Sequence, residues 1–364
     1  MHITAHNFYL VNGFLGSGKT TAIARAARQL IDKKIKAAVI TNDQGTQQVD
    51  SAYIQSLLLP GGEVADGCFC CRYKELEETL AALTASAQPE VIFAESVGSC
   101  TDLVATVAKP FALQHHNTRI VISVFADAFL MHSVMKGTSS FIGESVQYIY
   151  KKQLEEADII VINKTDLLAH DELLHVKEMV EASYHGKQII CINAHNENDI
   201  TTWLQALQDF TIPAHRSSLE LDYDIYGAGE AMLAWLDQKI SVHTYKPVAV
   251  EAGLILIENI YNKIQQAGYT IGHLKFLLSG DGWHKKISYT TTGIKENNDD
   301  TELHLCKHLT ILINARVQTD PQGLQQIITF AMEETITLTG CRIVKHHASA
   351  FQPGYPKPLH RITI

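Results

Sequence analysis

Three groups of residues in this chain are of the type and spacing that do chemistry. The first is Gly13-Phe14-Leu15-Gly16-Ser17-Gly18-Lys19-Thr20, which fits G-x-x-x-x-G-K-[ST]. Glycines let such a loop close around phosphate oxygens with its N–H groups turned inward, and a helix opening there adds a favourable dipole. Lys19 is expected to reach the β- and γ-phosphates and Thr20 to ligate Mg²⁺, with Gly13, Gly16, Ser17, Gly18 and Thr21 completing the cradle. A dinucleotide loop fits less well, because Gly18 is followed by Lys19, Thr20 and Thr21 without a third glycine. The second group, Asn163-Lys164-Thr165-Asp166, has the pattern N-K-x-D. A carboxylate at Asp166 can accept two hydrogen bonds, from the ring N–H and the exocyclic amine of guanine; adenine offers no such donor pair. Lys164 can lay its stem over the base, and Asn163 can tie this loop to the phosphate loop. The third group is Cys68-Phe69-Cys70-Cys71, flanked by Gly61-Gly62 and Gly67 and so expected in a loop. Thiolates suit Zn²⁺, Cu⁺ or another thiophilic metal. Two or three sulfurs do not complete a tetrahedral site, so a further ligand must come from elsewhere, from water or from a partner. That incompleteness fits delivery better than permanent structural binding; a redox-labile thiol set is the blander alternative.

Carboxylates at strand ends form a supporting set. Thr41-Asn42-Asp43-Gln44-Gly45 and Glu95-Ser96-Val97-Gly98 each follow an aliphatic run, and Asp127 follows another. Ligands of open α/β sheets bind at that edge. Asp43 and Glu95 are therefore expected to hold Mg²⁺ through water or to orient an attacking water, which with Lys19 makes them the catalytic candidates. The Gly98 N–H is expected to meet a γ-phosphate. Asp127 either joins this set or caps the next helix. Cys100, Cys191, Cys306 and Cys341 read as core residues, and the pairs His115-His116 and His346-His347 as surface ones.

These residues need a scaffold, and the pattern supplies one. Phe8–Val11, Ala37–Ile40, Val91–Ala94, Ile120–Val124, Ile159–Ile162 and Gln188–Ile192 are short aliphatic runs separated by helical stretches, as a buried parallel sheet requires. Residues 1–212 are expected to form an α/β nucleotide-binding domain with a mainly parallel sheet. Residues 213–246 are expected to connect it, through a strand at Leu219–Tyr223 and a helix at Gly229–Ile240, to a smaller α+β domain over 247–364. That domain would hold a helix at Val248–Gly268, strands at His273–Leu278, Lys286–Thr292 and Leu309–Val317, a polar loop at Lys295–Asp300, a helix from Asp320-Pro321 to Glu334, and a last strand at Cys341–Ala348, giving an antiparallel sheet. With 30 Lys+Arg against 39 Asp+Glu the net charge is −9, which argues against a dedicated nucleic-acid binder. No apolar run reaches a membrane span, and residues 1–7 lack the basic start of a secretory signal, so a cytoplasmic protein is expected. Seven cysteines, three of them crowded together, point to thiol or metal chemistry and not to disulfide stapling.

In their order the motifs resemble the CobW-type P-loop GTPases, whose relatives include the urease and hydrogenase nickel-insertion GTPases. The likeness runs through Gly13–Thr20, Asn42-Asp43-x-Gly45, Cys68–Cys71, Glu95-Ser96-x-Gly98, Asp127 and Asn163–Asp166, over roughly the first 200 residues. It implies GTP hydrolysis coupled to the handling of a metal, commonly zinc, or to assembly of a metal- or corrinoid-dependent enzyme. Cys70 and Cys71 are then the foremost metal ligands, with Cys68 a third. Asp43 stands where the family usually carries Glu, and Thr41 where some members carry a carboxylate. The expected cofactors are GTP/GDP, Mg²⁺ and zinc or another thiophilic metal. The expected partner is a client metalloenzyme, with no nucleic acid and no membrane, and a homodimer is among the assemblies allowed. A GTP-dependent regulatory module that docks a partner enzyme without metal cargo is the competing expectation, and an ATP-using kinase a weaker one. Asp222-Tyr223-Asp224-x-Tyr226 and Pro353–His360 look like signatures of a subfamily.

Overall fold

The computed structural model describes residues 6–137, 143–291, 295–297 and 304–363. The expectations placed on residues 1–5, 292 and 298–300 lie outside these. The chain forms two compact units, each assembled from separate stretches: residues 1–44, 57–229 and 355–364 in the first, and 45–56 with 230–354 in the second.

The first unit is built on a seven-stranded sheet. Its strands are β1 (Asn7–Gly13), β2 (Ala37–Asn42), β3 (Gly61–Val64), β4 (Val91–Glu95), β5 (Arg119–Asp127), β6 (Ile159–Asn163) and β7 (Gln188–Ile192), in the order β3-β2-β4-β1-β5-β6-β7. Every described pairing is parallel. The inner strands are continuous aliphatic runs because both faces are covered by helices. Trp203, from the Glu197–Asp209 helix, is fully buried against Phe93 and Phe125 and donates its indole N–H to Ser123 Oγ at 3.0 Å. A parallel sheet gathers its strand C-termini at one edge. Gly13, Asn42, Glu95, Asp127 and Asn163, each the last residue of its strand, are therefore brought to the same side.

The second unit carries β8 (Ala234–His243), β9 (Ile271–Gly280), β10 (Trp283–Thr290), β11 (Lys295–Asn297), β12 (His308–Val317) and β13 (Arg342–Phe351). They pair antiparallel in the order β11-β10-β9-β12-β8-β13. The helices Ala249–Gln266 and Pro321–Thr339 supply Leu256, Ile260, Leu324 and Ile328 to a core shared with Leu236, Leu274 and Ile313 of the sheet.

Three local expectations are corrected. Residues 229–240 are not one helix: the Tyr223–Ala231 helix ends and β8 begins at Ala234. Ala234, Leu236, Ile240 and Val242 recur at period two on the core face, and only Gln238 interrupts that alternation. The expected strand at Leu219–Tyr223 is absent; Asp222 Oδ1 instead accepts the N–H groups of Asp224 and Ile225 and so opens a helix. Lys295–Asn297 pairs with β10 as a short strand and is not loop. β3 was not anticipated because Gly-Gly-Glu-Val carries no aliphatic run and lies at the sheet edge.

Candidate nucleotide and thiol site

All the residues singled out for chemistry lie in the first unit. β1 ends at Gly13, and the loop turns through Gly16 (φ 74°) and Gly18 (φ 90°) into the Lys19–Asp32 helix. At Gly18 a Cβ would lie 2.2 Å from Asn163 Nδ2, so glycine is required on both conformational and steric grounds. The Lys19 ammonium donates to the carbonyls of Gly13 (2.6 Å) and Phe14 (3.3 Å), inside the loop it would serve. Ser17 Oγ is buried with no hydrogen-bond partner, an orphaned donor within the cradle. Thr20 Oγ1 donates to Glu95 Oε1 at 2.9 Å, with both residues nearly inaccessible. Thr21 follows, half-buried on the same helix.

The base-side loop is tied to the phosphate loop by one amide. Asn163 Nδ2 donates to Ser17 O (2.8 Å), and its Oδ1 accepts the Ala194 N–H (2.9 Å), so β6, β7 and the phosphate loop share a joint. Lys164 takes a left-handed backbone (φ 63°), and its ammonium pairs with Asp127 Oδ2 at 3.0 Å. Asp127 Oδ1 also accepts the Leu130 N–H and caps the Ala128–Met135 helix. Asp127 thus orients the Lys164 stem and caps a helix. The Asp166 carboxylate is exposed on a short 3₁₀ turn beyond Lys164. Asp43 is half-buried just beyond β2, its N–H bonded to Val64 O.

Asn42 proves more important than its place in the motif suggested. Its amide donates to Val64 O (3.0 Å) and Gly67 O (2.7 Å) and accepts the Phe69 N–H (2.9 Å). It therefore pins the cysteine loop to the end of β2. Beyond it the chain turns tightly, with the Cys71 and Arg72 N–H groups on Cys68 O, and the Tyr73–Ala87 helix begins. The turn gathers three sulfurs: Cys68 and Cys70 are 2.8 Å apart, Cys70 and Cys71 3.8 Å, and all three lie within 4.8 Å of one another. The Cys100 thiol raises the pKa values of Cys68 and Cys70, and the Cys68 thiol raises that of Cys71 to about 11, because neighbouring thiolates would repel; burial adds to each. A cation of soft-ligand preference relieves that repulsion, so the donor set fits a thiophilic metal.

Cys100 does not lie apart in the core. It is fully buried, its thiol lies 3.8 Å from Thr101 O, and it is near enough to Cys68 and Cys70 to raise their pKa values. Nothing in its spacing announced this, since 28 residues lie between it and Cys71.

Two further polar residues were not singled out by sequence. Asn12, fully buried, accepts the Gly13 N–H (2.7 Å) and the Ser96 hydroxyl (2.7 Å), and donates to Cys100 O and Glu156 Oε1. Glu156 accepts from Thr101 Oγ1 and the Val104 N–H as well. Burial, reinforced by nearby Asp102, raises the Glu156 carboxyl to about 8. The two unexplained signature segments also find a place here. Tyr223 Oη and Arg361 Nε both donate to Asp102 Oδ2 at 2.7 Å, and Tyr226 Oη accepts the Thr101 N–H. The Leu359 N–H bonds Cys70 O at 2.8 Å, and the Lys357 N–H bonds Cys71 Sγ at 3.3 Å.

The family model described as "CobW/HypB/UreG, nucleotide-binding domain" matches residues 7–191, just over half of the chain. The chain belongs to the CobW/HypB/UreG family. Among curated relatives it is 29% identical over 164 residues to the zinc chaperone YeiR of Escherichia coli, covering 43% of this chain and 46% of that protein. It is 29% identical over 171 residues to the zinc chaperone YjiA of the same organism, covering 46% and 51%. The chain thus spans about half the length of the curated relatives it matches. A weaker likeness to a solved structure, HypB from Helicobacter pylori in complex with nickel, has a TM-score of 0.41 at 15% identity over 58% of this chain and 91% of the other. The phosphate loop and the thiol turn of this chain stand in one unit, both within the matched residues.

Proposed function

We propose that this protein binds and hydrolyses GTP and couples its nucleotide state to the binding and delivery of a thiophilic metal, zinc foremost. The observation that carries the reading is the thiol turn fastened by Asn42 to the strand end that also presents Asp43. The names of the curated relatives, zinc chaperones, support it.

In this reading the loop N–H groups and Lys19 hold the phosphates, and the Ser17 hydroxyl gains the partner it lacks. Thr20 and Glu95, already in contact, would hold Mg²⁺, which offsets charge on the β- and γ-phosphate oxygens. Asp43 orients the attacking water, and the Gly98 N–H meets the γ-phosphate. A Cβ at Gly98 would lie 2.7 Å from Leu15 Cδ2 and 3.1 Å from Leu15 N, so only glycine allows this loop so near the cradle. Asp166 reads guanine, Lys164 covers the base, and Asn163 fixes the joint. Cys68, Cys70 and Cys71 take the metal, releasing protons to solvent. Delivery to a client metalloenzyme in the cytoplasm belongs to the same proposal. Among the described residues no helix is long and apolar enough to cross a membrane.

Competition binding tests the nucleotide half. GTP and GDP should displace a bound guanine-nucleotide probe, and ATP should not. Asp166→Asn should weaken guanine binding by about 1.5–3 kcal/mol, the scale of a hydrogen bond to a charged group. Equal displacement by ATP would remove the assignment of Asp166. A Cys70→Ser, Cys71→Ser variant that held zinc as tightly as the native chain would remove the thiol assignment.

A further inference from the structure

We infer that residues 355–362 form a strap that positions the metal-ligating thiol turn through its main chain, with the Lys357 N–H as the outer hydrogen-bond donor to the Cys71 sulfur. The inference rests on the metal-handling reading above and deepens it.

The sequence of the strap limits what it can offer. Tyr355-Pro356-Lys357-Pro358-Leu359 has proline at alternate positions, and proline carries no N–H. Lys357 therefore holds the only main-chain donor between Tyr355 and Leu359, and that donor meets a sulfur, Cys71 Sγ, at 3.3 Å. The next donor along, the Leu359 N–H, bonds Cys70 O at 2.8 Å. A residue before proline is held extended, so Tyr355 and Lys357 give up little freedom when the strap docks. The Lys357 and Leu359 side chains stay exposed, so the strap docks here by its backbone and not by burying side chains.

Both ends of the strap are anchored. Tyr355 Oη donates to Asp224 Oδ1 at 3.1 Å, and its ring lies so near Gly227 that a Cβ there would be 3.0 Å from Tyr355 Cδ2. At the other end Arg361 Nε donates to the nearly inaccessible Asp102 at 2.7 Å, the Ile362 N–H bonds Ala105 O at 2.9 Å, and Ile362 O accepts the Ser218 hydroxyl at 2.7 Å. Between the anchors the His360 ring stands edge-on to Tyr73, the first residue of the helix that follows the thiol turn, at 5.0 Å. Of the three clustered thiols only Cys71 is partly exposed; Cys68 and Cys70 are buried. Cys71 is thus the sulfur at which a fixed N–H replaces a passing water. On metal entry each thiol gives its proton to solvent, and three thiolates around a divalent cation leave an excess of negative charge. A donor fixed on one of those sulfurs stabilises that charge and holds the sulfur in place, as outer-sphere partners of metal ligands do.

The test uses the full chain with zinc, and Co²⁺ as a spectroscopic probe. Lys357→Pro removes the N–H, whereas Lys357→Ala keeps it and removes only the ammonium. Zinc affinity, measured by competition with a chelator, should fall about 10–100-fold in Lys357→Pro, a loss about tenfold or more beyond that in Lys357→Ala. The thiolate-to-cobalt charge-transfer band should move to longer wavelength in Lys357→Pro, because a sulfur without its donor gives up an electron more readily. Arg361→Ala, which frees the strap from Asp102, should weaken zinc binding in the same direction, and Arg361→Lys should restore part of it. Native affinity in Lys357→Pro, equal losses in Lys357→Pro and Lys357→Ala, or a loss without the band shift overturns the assignment. Should Lys357→Pro not fold, native zinc affinity in Arg361→Ala overturns it. The underlying reading fails by a different signature: a native chain that takes up neither metal, or a Cys70→Ser, Cys71→Ser variant that binds as the native chain does.

Discussion

Glu156 shows most clearly what a single buried side chain does here. Three hydrogen-bond donors reach its carboxyl, yet burial still raises its pKa from 4.5 to about 8. Below pH 4.5 both folded and unfolded chains hold the proton. Between 4.5 and 8 the folded chain keeps a proton that the unfolded chain has released, so this residue's contribution to stability falls as pH rises. The slope reaches at most about 1.4 kcal/mol per pH unit. Chemical denaturation of the native chain and Glu156→Gln across pH 5–8 should show the native chain losing this component and the variant not; parallel profiles would show that Glu156 does not titrate in this window. Residues of this kind were not legible in the sequence. Asn12, Glu156 and Cys100 carry no local pattern that marks them out, Asn42 stands out only within Asn42-Asp43-x-Gly45, and only the fold shows what they touch. The phosphate loop and N-K-x-D were legible because their chemistry depends on contiguous residues. Asp127 lay between these cases: its position at a strand end was visible, but its pairing with Lys164 depends on the register that sets Asp127 beside Asn163.

At the scale of elements, two attachments decide whether the segments around the site hold their shape. Asn42 makes three hydrogen bonds between β2 and the cysteine turn. Asn42→Ala should take the amide away from the buried Phe69 N–H and from Gly67 O, costing about 1–3 kcal/mol, and should loosen the turn so that zinc affinity falls while guanine-nucleotide affinity changes little. Equal loss of both affinities would show that Asn42 serves the whole edge of the sheet. In the second unit, the helix Val49–Ser56 is held to its sheet by Asp50, which lies 2.6 Å from Lys275 and 2.7 Å from Lys286. Asn314 adds bonds to Gln47 O and the Val49 N–H. Burial alone would raise the Asp50 pKa, but the two ammonium groups hold it well below the usual carboxylate range. Its stabilising contribution is thus present above about pH 4 and is lost as pH falls through its depressed pKa. Asp50→Ala leaves two largely buried cations without their carboxylate and should destabilise the second unit by about 3–5 kcal/mol, read as a lowered denaturation midpoint. No shift would mean that water already screens the cluster. This helix is not legible in the sequence, because eight residues with a weak apolar stripe do not separate from a loop. β8 does not read as a strand for a related reason: Gln238 breaks the alternation of its core face, and on the other face Asp237 is a buried partner of Arg316 at 2.8 Å.

For the molecule as a whole, chain connectivity carries the consequence. Asp43 belongs to the first unit, and from Gly45 to Ser56 the chain belongs to the second before returning at Leu57. The segment beyond β2 is therefore covalently continuous with both units, and the C-terminal residues 355–364 return to the first unit to bond the cysteine turn. A two-domain division was legible from the change of pattern after residue 212, but these exchanges were not, since they leave no mark in composition. The proposed function implies a linkage: if GTP alters metal affinity, metal must alter GTP affinity by the same factor. The most direct measurement is the zinc dissociation constant of the full chain, determined by competition with a chelator, once with a non-hydrolysable GTP analogue and once with GDP. Zinc should bind about 5–150-fold more tightly with the analogue, and that difference should vanish in the Cys70→Ser, Cys71→Ser variant; the same constant in both nucleotide states would refute the linkage.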